Sequence, residues 1–219
     1  KNFKNVLHKL SDQVNKLDKI KNFLLFDTIN FFKSRNKKIL HISTFDERNN
    51  HRLFNISLSN KISKGFIHNS HDVINFSYRN HLGIINKKNT TTTNVKIKDI
   101  YDNYKPDLVI LGHNNVLNRD VLTHIKKNNS SKVILSYEDA LSKKGKGPSW
   151  KSNLDLLEKN NDLIDSYFIT THPNDIVESK INKKKLNFLP MLVDENIENL
   201  HLFDIKNKFK DLFFAISHG

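Results

Sequence analysis

Polar side chains that could take part in chemistry follow several short apolar runs along the chain. In chain order they are Asp46, Arg48, Asn49 and Arg52; His113 and Asn114; Glu138 and Asp139; and His172. Guanidinium and amide groups hold phosphates and hydroxyls, and an imidazole can act as a general base toward an attacking hydroxyl. If the apolar runs are neighbouring strands, these nine residues form one polar rim.

Each candidate also has a plainer interpretation. His113 is one of eleven histidines, and His172 precedes Pro173, which favours the first turn of a helix. Glu138 and Asp139 are adjacent, and adjacent residues in an extended chain point to opposite sides, so they are not expected to act as an acid/base pair. The first loop is rich in asparagine and could be a solvated helix start. The acidic residues lack the spacing of converging metal ligands, so we predict no metal site.

The apolar runs predict buried parallel strands. They are Lys38–Thr44, Asp72–Tyr78, Asp107–Gly112, Lys132–Ser136 and Ser166–Thr171, with a further strand at Leu186–Pro190. The spacing of apolar residues predicts helices over 53–66, 95–104 and 152–164, a helix that begins near 118, and a short helix after Pro173. Gly65 is a stop signal near the end of the first helix, and residues 82–94 are predicted to form a loop. This alternation is typical of a doubly wound, mostly parallel Rossmann-like α/β sheet, in which ligands bind at the carboxyl ends of the strands.

The chain divides into three predicted parts. Residues 1–36 have the apolar spacing of an amphipathic helical extension, residues 37–190 form the Rossmann-like domain, and residues 191–219 combine a linker with a strand at 211–216. Because a buried parallel strand needs partners, we expect the chain to be a fragment of a longer protein. The alternative is that 211–216 is a frayed edge strand.

Composition narrows the classes of function. The absence of cysteine excludes disulfides. No run of about 18 apolar residues is available for a membrane span. We therefore expect a cytoplasmic protein, and peripheral contact with a membrane stays an open alternative. The net charge is +13, but about one residue in seven is asparagine and lysine greatly outnumbers arginine. That bias is typical of a low-GC genome, so specific nucleic-acid binding is disfavoured. No Gly-x-Gly-x-x-Gly sequence marks a dinucleotide site.

Two further features lie in the loop after the fourth run. The cluster Lys143–Lys146 is either a solvated loop or a contact for phosphate or lipid head groups. Trp150 could stack on a sugar ring or anchor the loop to the core.

Three segments together resemble a known family. They are Arg48–Ser57 leading into Lys61–Phe66, Lys105–His113, and Asn187–Pro190 followed by the strand Asp211–Ile216. They resemble the amino-terminal half of a GT-B-type glycosyltransferase, in particular the spore-maturation glycosyltransferase-like (CgeB-like) family. The resemblance implies two Rossmann-like domains across a cleft, of which the amino-terminal one shapes the acceptor site and the other holds the nucleotide sugar.

The resemblance therefore implies an acceptor-side domain that serves transfer of a sugar to a cell-surface glycan or glycoconjugate, as in polysaccharide biosynthesis. His113, Glu138 and Asp139 become the expected catalytic residues, and Asp46, Arg48, Asn49, Arg52, Asn114 and His172 the expected substrate-binding residues. The nucleotide sugar is expected to bind mainly to the missing second domain, so this chain would hold no cofactor and be inactive alone. The alternatives are a non-catalytic Rossmann-like ligand-binding module and a basic nucleic-acid-binding domain.

Overall fold

The structure of the chain is a computed structural model that describes residues 36–45, 57–79, 81, 90–112, 117–127, 131–145 and 147–195. The predicted helical extension and the predicted strand over 211–216 lie outside these residues, so both stay predictions.

Six short strands alternate with helices along the described part of the chain. The strands are β1 (Lys38–Ser43), β2 (Asp72–Ser77), β3 (Leu108–Gly112), β4 (Lys132–Tyr137), β5 (Ser166–Ile169) and β6 (Leu186–Phe188). The main helices are α1 (Leu58–His68), α2 (Thr90–Tyr104), α3 (Arg119–Lys127) and α4 (Trp150–Glu158), and 3-10 turns occupy Lys143–Gly145, Pro173–Asp175 and Lys183–Lys185.

All six strands belong to one parallel sheet, in the order β2-β1-β3-β4-β5-β6. The chain moves from β1 to one side to form β2, and then returns to the other side of β1 to form β3. This reversal makes the gap between β1 and β3 a topological switch point, the place where open α/β sheets usually bind ligands. The prediction of a doubly wound Rossmann-like sheet is confirmed.

Apolar residues cover both faces of the sheet, as the unbroken apolar runs predict. On one face Leu40, Val109 and Val133 pack with buried side chains of α2, α3 and α4. On the other face Ile39 and Ile110 pack against the half-buried Ile62 and Phe66 of α1. At about 25 cal/mol per Å² of apolar surface, these two layers supply the main favourable term in the folding free energy.

The predicted boundaries of three helices are wrong in ways that tertiary packing explains. The predicted loop 82–94 overlaps α2, which begins at Thr90 although β-branched threonines are poor helix formers, because Thr93 and Asn94 are buried there. Helix α1 continues past Gly65 to His68. Helix α4 ends at Glu158 instead of 164, because the chain turns there to bury Ile164 ahead of β5.

Asn94 joins the start of α2 to the start of α3. Its Nδ2 donates to the Thr90 carbonyl at 2.6 Å, and its Oδ1 accepts the Asn118 backbone N–H at 3.0 Å. We expect Asn94→Ala to lower the free energy of unfolding by about 1–2 kcal/mol more than Asn103→Ala does. Asn103 is the matched control, since it donates to the carbonyl four residues earlier but is exposed. If urea denaturation gives the two variants equal losses of unfolding free energy, this role for Asn94 is contradicted.

The segment after β6, residues 189–195, is named the strap. It starts beside β5, where the Leu189 N–H donates to the Ile169 carbonyl at 2.8 Å. It then reaches α1, where Lys61 Nζ donates to the Leu192 carbonyl at 3.1 Å and Lys64 Nζ lies 3.3 Å from the buried carboxylate of Asp194. The strap thus connects the β6 edge of the sheet to the helix that packs on β1 and β3.

Within the described ranges, no helix combines the length and the apolar character needed to cross a bilayer.

Candidate functional site

The carboxyl ends of β1 and β3 meet at the switch point through one side chain. Ser43 Oγ donates to the Gly112 carbonyl at 3.1 Å and contacts Ser59 Oγ of α1 at 2.7 Å. Six of the predicted rim residues follow these two strands: Asp46, Arg48, Asn49, Arg52, His113 and Asn114. All six lie outside the described residues, so their assignment to the site stays a prediction.

A buried polar layer lies beneath the switch point, between β1 and α1. His41 Nδ1 lies 2.8 Å from Ser63 Oγ, and Ser63 Oγ donates to Asn75 Oδ1 at 2.7 Å. Because that bond uses the only hydroxyl proton of Ser63, His41 must donate from Nδ1, which leaves a lone pair on Nε2. Burial lowers the pKa of His41 to about 3.

His41 is therefore a neutral hydrogen-bond acceptor at physiological pH. Among the described residues Nε2 has no hydrogen-bond partner, and the Phe45 ring packs edge-on against the imidazole with centroids 5.0 Å apart. A group with a pKa near 3 is too weak a base to take a proton from a hydroxyl near neutral pH. His41 is not among the residues predicted from the sequence; its position inside the apolar run of β1 was the available signal.

The loops after β4 and β5 are joined to each other by two threonines. Thr170 Oγ1 donates to the Glu138 carbonyl at 2.6 Å, and Thr171 Oγ1 accepts the Leu141 N–H at 3.1 Å. Of the two predicted catalytic carboxylates in this region, Glu138 is half-buried and Asp139 is exposed. Burial, with smaller contributions from Asp139 and Glu138, raises the pKa of Tyr137 to about 12.

His172, the predicted substrate-binding residue after β5, is exposed and caps the following 3-10 turn. Its Nδ1 accepts the Asn174 N–H at 3.2 Å, and its ring lies 5.5 Å from that of Phe188. With Nδ1 accepting this hydrogen bond, the ring hydrogen is carried by Nε2. His172 can therefore donate a hydrogen bond to a ligand, while its Nδ1 is already engaged.

A cavity of about 370 Å³ opens between the β4 and β5 loops. Its apolar wall consists of Leu141, Trp150, Leu154 and Val177, and its polar wall of Ser142, Lys143, Lys144, Asn174, Asp175 and Glu178. Trp150 and the two lysines were singled out from the sequence, whereas Asn174, Asp175 and Glu178 were not. Glu138, Asp139 and His172 do not line the cavity, although they stand in the same two loops.

The cavity walls are held by internal contacts. Lys144 Nζ of the β4 loop pairs with Asp175 Oδ1 of the β5 loop at 2.7 Å, and Asn153 Nδ2 of α4 donates to the Ala140 carbonyl at 3.1 Å. Trp150 is half-buried and packs against the main core while part of its indole lines the cavity. The interpretation of Trp150 as an anchor to the core is therefore confirmed, and its stacking on a sugar ring stays a prediction.

Across the residues that the structure describes, no three histidine, aspartate or glutamate side chains converge closely enough to hold a metal ion.

Comparison with known proteins gives structural neighbours only. No protein-family profile matches the chain, and no curated protein does. Two crystal structures of Anabaena Alr3699/HepE are similar to it. The structure in complex with UDP has a TM-score of 0.39 at 12% identity, over 73% of this chain and 45% of that one. The structure with UDP and glucose has a TM-score of 0.40 at 13% identity, over 74% and 46%. The chain thus spans less than half the length of HepE.

Proposed function

We propose that this chain is the acceptor-side domain of a GT-B-type glycosyltransferase that uses a nucleotide sugar to extend a glycan or glycoconjugate. The observation that carries the proposal is the cavity at the carboxyl edge of an all-parallel sheet, built from the loops after β4 and β5. Its walls combine an indole, apolar side chains, carboxylates and an amide, which is the kind of lining that binds a small polar molecule with an apolar face.

The transfer reaction requires a proton acceptor near the attacking hydroxyl. The acceptor oxygen bonds to the anomeric carbon of the donor, the bond from that carbon to the nucleotide phosphate oxygen breaks, and the hydroxyl proton passes to a base. We assign the base to His113, which follows the strand end at Gly112, in preference to the buried and weakly basic His41. Glu138 and Asp139 would orient hydroxyls, and Arg48 and Asn49 would contact the substrate from the neighbouring loop.

A longer protein that contains residues 1–219 should release nucleotide diphosphate from a nucleotide sugar in the presence of an acceptor glycan. UDP-sugars are the first donors to test. Because a general base contributes about 10²–10⁴-fold to the rate, His113→Ala should lower kcat by that factor. The matched control is His68→Ala, which removes an exposed histidine from the last turn of α1 and should leave kcat unchanged. Equal rates in the two variants would remove His113 from the mechanism, and no turnover with any donor would contradict the proposal.

A saccharide-binding module without catalysis is the second candidate. It is favoured by one observation: Glu138 and Asp139, which are assigned to catalysis, do not line the cavity. Saturable binding of sugars with no consumption of nucleotide sugar by the longer protein would select this function over the first.

A further inference from the structure

We propose that the cavity between the β4 and β5 loops binds an uncharged pyranose ring, which lies with its apolar face on the indole of Trp150. This inference deepens the proposed function, on which it rests for the identity of the cavity as the acceptor site. The chemical class of the ligand follows from the cavity walls.

The apolar wall provides a fixed flat surface. The Trp150 side chain is held on one side by the core, so its indole cannot turn away without losing packing. Leu141 and Leu154 are buried beside it, and Val177 stands at the mouth, 81% exposed. A pyranose presents a face of C–H groups that can pack on such a surface. The volume of about 370 Å³ lies near the lower end of the range of about 300–1,000 Å³ found for small-molecule sites.

The polar wall carries no surplus charge. Lys144 is paired with Asp175, and the other two charged lining residues, Lys143 and Glu178, are opposite in sign. A phosphate or carboxylate would therefore meet as many anions as cations. Sugar hydroxyls both donate and accept, so they can pair with the carboxylates, the Asn174 amide and the Ser142 hydroxyl alike. The wall thus suits a neutral, hydroxyl-rich ligand better than an anionic one.

The wall is also formed before a ligand enters. Thr170 and Thr171 join the two loops through the Glu138 carbonyl and the Leu141 N–H, and the Lys144–Asp175 ion pair joins the same two loops a third time. The two loops are therefore largely ordered before a ligand binds, and this lowers the entropic cost of binding.

Trp150 is the only tryptophan in the chain, so tryptophan emission, excited selectively over that of the five tyrosines, reports on the surroundings of this indole. We would titrate the full chain with methyl α-D-glucopyranoside and methyl α-D-galactopyranoside. Glucose 6-phosphate and glucuronate, at matched ionic strength, serve as the anionic counterparts. At least one neutral glycoside should change the emission saturably, with a Kd in the range of about 1–10 mM, and neither anionic sugar should bind more tightly.

Variants distinguish binding in the cavity from nonspecific binding elsewhere on the surface. Trp150→Leu should weaken glycoside binding at least fivefold in saturation-transfer NMR, while the exposed Asp155→Asn on the same helix should not change it. Glu178→Gln should weaken binding about threefold, and by more than Lys143→Gln does. Circular dichroism confirms that each variant is folded; if Trp150→Leu does not fold, Trp150→Phe and Glu178→Gln decide the question.

Each outcome supports or overturns the inference. Tighter binding of the anionic sugars, or loss of binding in Lys143→Gln but not in Glu178→Gln, would show an anion site instead. No saturable response to any neutral glycoside would also overturn it. If the longer protein transfers sugar although the cavity binds none, this inference fails and the proposed function stands. Binding in the cavity without turnover fails the proposed function and leaves the inference intact.

Discussion

Replacing His41 with asparagine should flatten the dependence of the protein's stability on pH between about 6.5 and 3. In the folded chain burial lowers the pKa of His41 from 6.5 to about 3, so within this window the unfolded chain binds a proton that the folded chain does not. Stability therefore falls as the pH falls, and by linkage the loss from this residue is on the order of 5 kcal/mol across the window. Above pH 6.5 both states are neutral and the effect disappears.

Asparagine is the appropriate replacement because its amide N–H₂ can occupy the place of Nδ1 and donate to Ser63, but it does not titrate. Urea denaturation at several pH values measures the slope in both proteins. The control is His71→Asn. The pKa of His71 is also lowered, by burial and then by Lys37, but its side chain is much less enclosed, so its removal should change the slope far less. An unchanged slope in His41→Asn would show that the imidazole is not buried in a neutral state.

Gly112→Ala should destabilise the protein by about 3 kcal/mol, because the added methyl group has no space at the switch point. A Cβ at residue 112 would overlap Ser43 Oγ and stand 2.9 Å from Ser43 Cβ. Ser43 could move only by giving up its hydrogen bonds to the Gly112 carbonyl and to Ser59. The backbone of Gly112 is not left-handed, so the effect should be steric and not conformational.

The same substitution at Gly65 is the matched control for Gly112→Ala. Gly65 lies inside α1, and no atom lies within 4 Å of the position that an alanine Cβ would occupy there. Alanine at residue 65 should therefore stabilise the protein by about 0.5–1 kcal/mol through its higher helix propensity. In a Ser43→Gly background the cost of Gly112→Ala should fall to about 1 kcal/mol or less, since the overlapping atoms are gone. If the losses of unfolding free energy caused by Ser43→Gly and Gly112→Ala are simply additive in the double variant, the steric explanation is wrong.

The sheet could be predicted from the sequence because strands that are buried on both faces need apolar residues at every position. The run at Leu108–Gly112, buried throughout, shows this most directly. The start of α2 could not be predicted in this way. Four successive threonines have low helix propensity, and the burial of Thr93 and the contact of Asn94 with the start of α3 favour the helix there.

The site was predictable only in part, for a similar physical reason. Residues directly after a strand can be assigned to the carboxyl edge without knowing the path of a loop. Glu138, Asp139 and His172 were placed at that edge in this way, although none of them lines the cavity. Asp175 and Glu178 reach the cavity because the chain folds back after Pro173 and pairs with the β4 loop. No local sequence pattern predicts such a contact between two loops that are distant in the sequence. His41 was missed because the hydrogen-bond partner of its Nδ1, Ser63 on α1, lies 22 residues further along the sequence.

The strap has a consequence for the order of folding. The two lysine contacts that attach it to α1 join residues 131 and 130 positions apart, whereas the hydrogen bond between Ser43 and Gly112 closes a loop of 69. The entropic cost of closing a loop grows with the length of the loop. The contacts between the strap and α1 should therefore form last, after the sheet has brought β6 and α1 together. Amide hydrogens in the strap should then exchange from a partly opened state in which the rest of the sheet is intact.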